Sequence, residues 1–137
     1  MKNSVLRLLF SSFAITILLV ACEKNEEYTT RDWAGAWKIE RFVSKENPEK
    51  MNTTNGSIVA RDDKTVYITG DLFNLYPQLQ INASTHKNNL TINYRDPALS
   101  INGSGSLRSA DEIIFAISIA DMDGVVENYN VTAFRKK

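Results

Sequence analysis

Residues 112–133 read Glu112-Ile113-Ile114-Phe115-Ala116-Ile117-Ser118-Ile119-Ala120-Asp121-Met122-Asp123-Gly124-Val125-Val126-Glu127-Asn128-Tyr129-Asn130-Val131-Thr132-Ala133. Ile113, Phe115, Ile117 and Ile119 fall on one face of an extended chain, and Ala116 and Ser118 fall on the other with Ile114. Asp123-Gly124 is a hairpin dipeptide. Beyond it Val125, Tyr129, Val131 and Ala133 resume the apolar face, opposite Asn128, Asn130 and Thr132. Alternation with period two on both sides of a turn predicts an antiparallel hairpin with one face buried.

The same pattern recurs toward the N-terminus. Leu90, Ile92 and Tyr94 alternate, as do Leu79 and Ile81, and residues 65–69 and 57–61 read as short strands around the turn 62–64. Residues 33–43 form the first strand, with Trp37, Ile39, Arg41 and Val43 alternating until Phe42 breaks the pattern. Residues 44–56 read as a long polar loop that ends in the turn dipeptide Asn55-Gly56. Gly103-Ser104-Gly105-Ser106 marks a bent strand approached by another backbone. No helical period appears after residue 22. About eight short strands joined by turn residues predict an all-β fold, a single antiparallel up-and-down β-barrel over residues 32–137. Closure removes the exposed edges of the sheet.

The inward face would carry Trp37, Ile39, Val66, Ile68, Leu79, Ile81, Leu90, Ile92, Phe115, Ile117, Tyr129 and Val131. These side chains either fill the barrel as core or line a space for one small apolar ligand. Leu72, Phe73, Leu75 and Tyr76 are apolar without clean alternation and are closed by Pro77. They are expected as a rim loop over one mouth of the barrel.

The first 21 residues read as a cleaved secretory signal. Lys2 and Arg7 supply a positive start, an apolar run follows, and small Ala21 precedes Cys22. Leu19-Val20-Ala21-Cys22 resembles the lipobox of bacterial lipoproteins. The resemblance implies cleavage between Ala21 and Cys22 and lipidation of the Cys22 sulfur. It also accounts for a single cysteine in an exported chain. Residues 22–31 are polar and charged, and are expected as a flexible acidic tether. Their acidic cluster is similar to the surface-export signal of Bacteroidota lipoproteins. The implied location is the cell envelope, with a lipid anchor in the outer membrane.

Gly35-Ala36-Trp37 at the start of the first strand resembles the Gly-x-Trp of lipocalins. The segment Ile101-Asn102-Gly103-Ser104-Gly105-Ser106, followed by Glu112-Ile113-Ile114-Phe115 and a closing strand at residues 129–132, is similar to small lipocalin-like lipoproteins of Bacteroidota. The lipocalin resemblance implies that a basic residue of the last strand crosses the tryptophan at the barrel base. Parity assigns that place to Arg135, which shares a face with Val131 and Ala133.

Composition narrows the function. Lys2 and Arg7 leave with the signal, so the 16 basic residues fall by two against 16 acidic ones. No basic surface remains to neutralise many phosphates, and nucleic acid is not an expected partner. His86 is the one histidine and lies in a polar turn-like stretch, so no metal site, cofactor or catalytic site is expected. Asp121-x-Asp123-Gly124 is explained as a turn. Asn52, Asn55, Asn82, Asn89, Asn102 and Asn130 each begin Asn-x-Ser/Thr, which reflects polar strand and turn faces. Two functions stay open, and neither is an enzyme. One is a monomeric envelope lipoprotein whose barrel binds a small apolar ligand. The other is an envelope lipoprotein that contacts proteins, as an assembly component or as an inhibitor of a secreted enzyme.

Overall fold

The computed structural model describes residues 27–46 and 51–137. Eight strands close into one antiparallel barrel in which each strand pairs with its sequence neighbours and β1 pairs with β8. They are β1 Gly35–Ser44, β2 Met51–Ala60, β3 Thr65–Thr69, β4 Gln80–His86, β5 Asn89–Arg95, β6 Leu99–Ser109, β7 Glu112–Asp121 and β8 Val126–Arg135. The expected up-and-down barrel is therefore the fold. The signal segment, Ala21 and Cys22 lie outside the described residues.

The alternation read from the sequence is the alternation of burial. Along β4 and β5 every second residue is buried, from Ile81 to Thr85 and from Leu90 to Ile92. In β7, Ile113, Phe115 and Ile117 are each at most 2 % exposed. Gly103 and Gly105 lie inside β6, opposite Ile117 and Phe115 of β7. The tip of the last hairpin closes as expected. The Asp121 carboxylate accepts the backbone N–H groups of Asp123 and Val125 at 3.0 Å each, and Gly124 takes a positive φ of 75°.

Three sequence expectations are corrected here, and one irregularity is explained. Residues 51–56 are not loop: β2 starts at Met51, and Asn55-Gly56 sits inside it. Gly56 stands there because a neighbour comes close, since a Cβ would lie 2.6 Å from that of Leu72. The Phe42 irregularity is a β-bulge. The register of β1 shifts between Ile39 and Phe42, which resets the phase of the strand and turns Ser44 inward. The polar turn-like stretch around His86 is narrower than expected, because His86 and Asn89 pair in the ladder around Lys87-Asn88. The helix-free expectation also fails at two single turns, α1 over Thr30–Trp33 and a 3-10 turn over Gly70–Phe73.

The start of the domain moves accordingly. The Asp32 carboxylate accepts from the Thr29 backbone N–H at 2.6 Å, and Thr30 is buried. Tyr28 packs against the core. The end of the expected tether, residues 28–31, is thus part of the folded unit. Capping at Thr29 and the burial of Trp33 hold a turn too short to carry any helical period.

Up-and-down order gives the barrel two unlike ends. The closed end gathers α1, the start of β1, the turns at residues 61–64, 87–88 and 110–111, and the end of β8. The mouth gathers the connections between β3 and β4, between β5 and β6, and between β7 and β8.

Candidate functional site

The closed end is sealed. Trp33 and Trp37 are fully buried, and the Trp37 indole N–H donates to the Trp33 carbonyl at 2.9 Å. Trp37 pairs with Arg135 across the β1–β8 seam, as the lipocalin resemblance implies. The guanidinium carbon lies 4.3 Å from the centre of the Trp37 ring system. Its Nη1 donates to the Ala34 carbonyl at 2.7 Å, its Nη2 to that of Asp32 at 2.5 Å and its Nε to that of Ala110 at 2.8 Å. Gly35 makes room for this arrangement. A Cβ there would stand 2.5 Å from Nη1, and its φ of 144° is one that glycine adopts freely. Arg135 therefore ties α1, the start of β1 and the β6–β7 turn together.

The interior is filled. Of the residues expected to face inward, Trp37, Ile39, Val66, Ile68, Leu79, Ile81, Leu90, Ile92, Phe115, Ile117 and Val131 are buried, and Tyr129 is half-buried. The expected rim loop divides. Leu72 and Phe73 do not lie on the rim: they are 0 % and 1 % exposed and belong to the core. The Phe73 ring meets Phe115 edge to face with centroids 5.3 Å apart. Leu75 is half-buried, and Tyr76 alone of the four is exposed. A 3-10 turn thus drops two large side chains into the lumen from the mouth. Thr54 Oγ1 fixes it by donating to the Leu72 carbonyl at 2.7 Å.

Above Phe73 the mouth keeps a shallow apolar ring of Leu75, Tyr94, Leu99, Ile119 and Tyr129, all partly buried against the core. Carboxylates hold both phenols. Tyr94 donates to Asp96 Oδ2 at 2.7 Å, and Tyr129 donates to Glu127. The Asp96 hydrogen bond, with some desolvation, pushes the Tyr94 phenol up to about 12. The same bond, with the N–H groups of Ala98 and Leu99, holds the Asp96 carboxyl below its usual range. Glu46 is held low mainly by the Asn128 side chain at 2.7 Å, which ties the end of β1 to β8. Sequence reasoning missed Tyr94-Asp96 and Glu127-Tyr129 as pairs. Their signal was a carboxylate two residues from an inward tyrosine at a strand end.

Around this ring stand Tyr76, Met122, Val125 and Val126, which are 54 %, 76 %, 58 % and 51 % exposed. They share the rim with Glu46, Asp71, Asp96, Asp121, Asp123 and Glu127, against Lys45 and Arg95. Among the described residues, none of these carboxylates is paired with a cation; the ion pairs are Lys38–Glu40, Lys87–Glu27 and Arg135–Asp111.

A second depression lies at the closed end, an open groove of about 1040 Å³ between residues 28–31, 60–64 and 85–87. Its buried floor is the Thr30–Thr85 hydroxyl pair, 2.7 Å apart, and His86 lies exposed on its wall. Arg31, Arg61, Lys64 and Lys87 line it together with Asp62 and Asp63, a polar surface of mixed charge. It lacks the apolar lining of a small-molecule pocket. The mouth is the better candidate.

Two solved structures share the architecture. EF1p2_mFAP2b, bound to DFHBI, aligns with a TM-score of 0.53 and 15 % identity, over 77 % of this chain and 95 % of its own. A redesigned β-barrel, b11L5F_LGL, aligns with a TM-score of 0.51 and 15 % identity, over 79 % of this chain and 95 % of its own. No protein-family model and no curated protein matches the chain. Likeness at this identity establishes the closed eight-stranded barrel.

Proposed function

We propose that this chain is a lipid-anchored, non-enzymatic protein of the bacterial outer membrane that contacts a partner protein through the mouth of its barrel. The observation that carries the reading is the division of the β3–β4 connection. Phe73 fills the lumen, so the barrel is a scaffold, while Tyr76 on the β3–β4 side of the mouth and Met122, Val125 and Val126 on the β7–β8 side stand exposed. Exposed apolar side chains clustered at one end of a small domain mark a contact surface. The unpaired carboxylates among them favour a partner that is basic where it touches.

The anchor reading fits this polarity. The chain enters the barrel at the closed end, so a lipid on Cys22 leaves the mouth pointing away from the membrane. Tyr28 lies six residues beyond Cys22, a reach of about 20 Å when extended. Buried lipid chains contribute roughly 0.8 kcal/mol per methylene, and two or three of them hold the protein firmly. Cys22→Ala should leave an uncleaved precursor, and wild type should enter the detergent phase of a two-phase partition. Wild type in the aqueous phase removes the anchor.

The contact is tested by cross-linking at the mouth in intact cells. A photo-reactive residue at position 122 should give a discrete adduct that Tyr76→Ser and added salt both weaken. An adduct indifferent to both defeats the rim reading. The half-buried ring of Leu75, Tyr94, Leu99, Ile119 and Tyr129 favours a second reading, a small apolar ligand seated at the mouth above Phe73. Native mass spectrometry of protein from its own host decides it, since a seated ligand adds a constant mass.

A further inference from the structure

The outer face of β4 to β8 has a composition of its own. In the central row the β4–β5 register sets Asn82 against Asn93, Asn93 faces Asn102, Asn102 faces Ser118, and Ser118 faces Asn128. The adjoining row begins Ser84, Thr91, Ser104. All of these point outward and are exposed or half-exposed. Although 23 % of the chain is charged, the charged outward residues on these strands are Arg95, Arg108 and Glu112, each near a strand end. The Asn-x-Ser/Thr patterns at Asn82, Asn89, Asn102 and Asn130 are this face read along its strands, because period two turns both polar residues outward.

Little of this hydrogen-bonding capacity is used internally. Ser118 pairs with Asn128, but the amides of Asn82, Asn93 and Asn102 have no hydrogen-bond partner among the described residues. Each amide offers two donors and an acceptor. Strands about 4.8 Å apart, with outward residues about 6.7 Å apart along them, set these groups in a regular array.

We infer that this face binds a neutral polyhydroxylated polymer, an uncharged polysaccharide. Charge selects against the alternatives. A polyanion or polycation meets no opposite charge here, and an apolar partner would strip the amides of water without replacing its hydrogen bonds. A neutral glycan replaces them, hydroxyl for water, along the convex wall that these strands form on the closed barrel. The site is separate from the mouth and does not depend on the anchor.

The full lipidated chain, purified in a polyoxyethylene detergent, can be passed over insoluble cellulose, cross-linked dextran and mannan, with polygalacturonate as an acidic control. Retention is expected on at least one neutral polymer and should hold between about 50 and 500 mM NaCl, because no ion pair carries it. Asn93→Ala with Asn102→Ala should weaken it at least about tenfold, as should Thr91→Lys, which leaves the amides in place. Tyr76→Ser should leave it unchanged. Unfolding midpoints equal to wild type would show the variants folded, as expected of exposed positions. The inference is overturned by passage through all three neutral columns, by preference for polygalacturonate that salt abolishes, or by retention indifferent to the face variants. It is overturned equally if those variants convert a dimer to a monomer, which would make the face a contact between copies.

Discussion

The two ends of the barrel solve the same problem differently. Both must close a ring of eight strands over an apolar interior. At the closed end two tryptophans lie fully buried, and one arginine satisfies three carbonyls, two across the seam and one in the β6–β7 turn. At the mouth a 3-10 turn inserts Leu72 and Phe73 but stops short of the rim. Two tyrosines, held by carboxylates, remain half in water with apolar neighbours exposed around them. With both indoles buried and the guanidinium engaged, the closed end leaves little of its core to offer a partner. The mouth holds the fold together and still presents unmatched surface, which is why binding is assigned there.

The contrast is most sharply tested in the buried rings. Trp37→Ala should cost about 3–5 kcal/mol of unfolding free energy, and Phe73→Ala should fall in the same range, because both rings are buried in the core. Denaturant titration checks this. A loss under about 1 kcal/mol for Phe73→Ala would return that residue to the rim, where the sequence first placed it. Arg135→Ala should cost about 2–3 kcal/mol, from the lost cation–π contact and the unpaired carbonyls. Arg135→Lys should recover only part, since an ammonium cannot match a planar fork. Both tryptophans sit at this end, so their emission should shift with Arg135 variants and not with mouth variants. Tyr76→Ser and Met122→Ser should change stability by less than about 0.5 kcal/mol while weakening capture at the mouth, which separates surface from core.

The smallest effect concerns protons. The carboxyls of Asp96 and Glu46 are both held below their ordinary values of 3.8 and 4.5 by hydrogen bonds at the mouth. A group lowered in the folded state stabilises above its unfolded pKa, and the benefit disappears as pH falls through the folded value. The mouth should therefore loosen below about pH 4 while Trp emission stays native. The Tyr94 phenol, raised from 10.0 to about 12, works in the opposite sense: its contribution is whole below pH 10 and fades as pH rises through 12. Asp96→Asn should flatten both limbs, and hydrogen exchange at Ala98 and Leu99 is the direct measure.

Much of this was legible as period two. Ile113 to Ile119 announced a strand and its buried face, and parity alone put Arg135 on the side of Trp37. What escaped were positions where a distant segment decides the local state. Asn55-Gly56 is a turn signal by chemistry, but the backbone at Leu72 needs a residue without a side chain at that point of β2. Phe73 sits in a stretch with no alternation, and only the opposing ring of Phe115 makes it core. Trp33 lies in a single helical turn whose capping box was too short to register as a period. The pairs at the mouth went unread because a carboxylate beside a tyrosine acquires meaning only at the end of an inward-facing strand. Residues 1–26, which carry the anchor reading, rest on sequence alone.

The seam between β1 and β8 also governs the order of events in folding. Each remaining pair of strands is a hairpin between sequence neighbours, whereas Arg135 reaches partners 101 and 103 residues away. Joining the ends of a segment that long costs about 2–3 kcal/mol more in chain entropy than closing a five-residue turn. The hairpins should accordingly form early and the seam last. Until it forms, the intermediate is an open sheet with two bare edges, able to recruit another molecule as a ninth strand. Arg135, which acts after that step, should hasten unfolding when replaced and scarcely slow refolding. Weakening this one clamp should thus appear first as aggregation that grows with protein concentration.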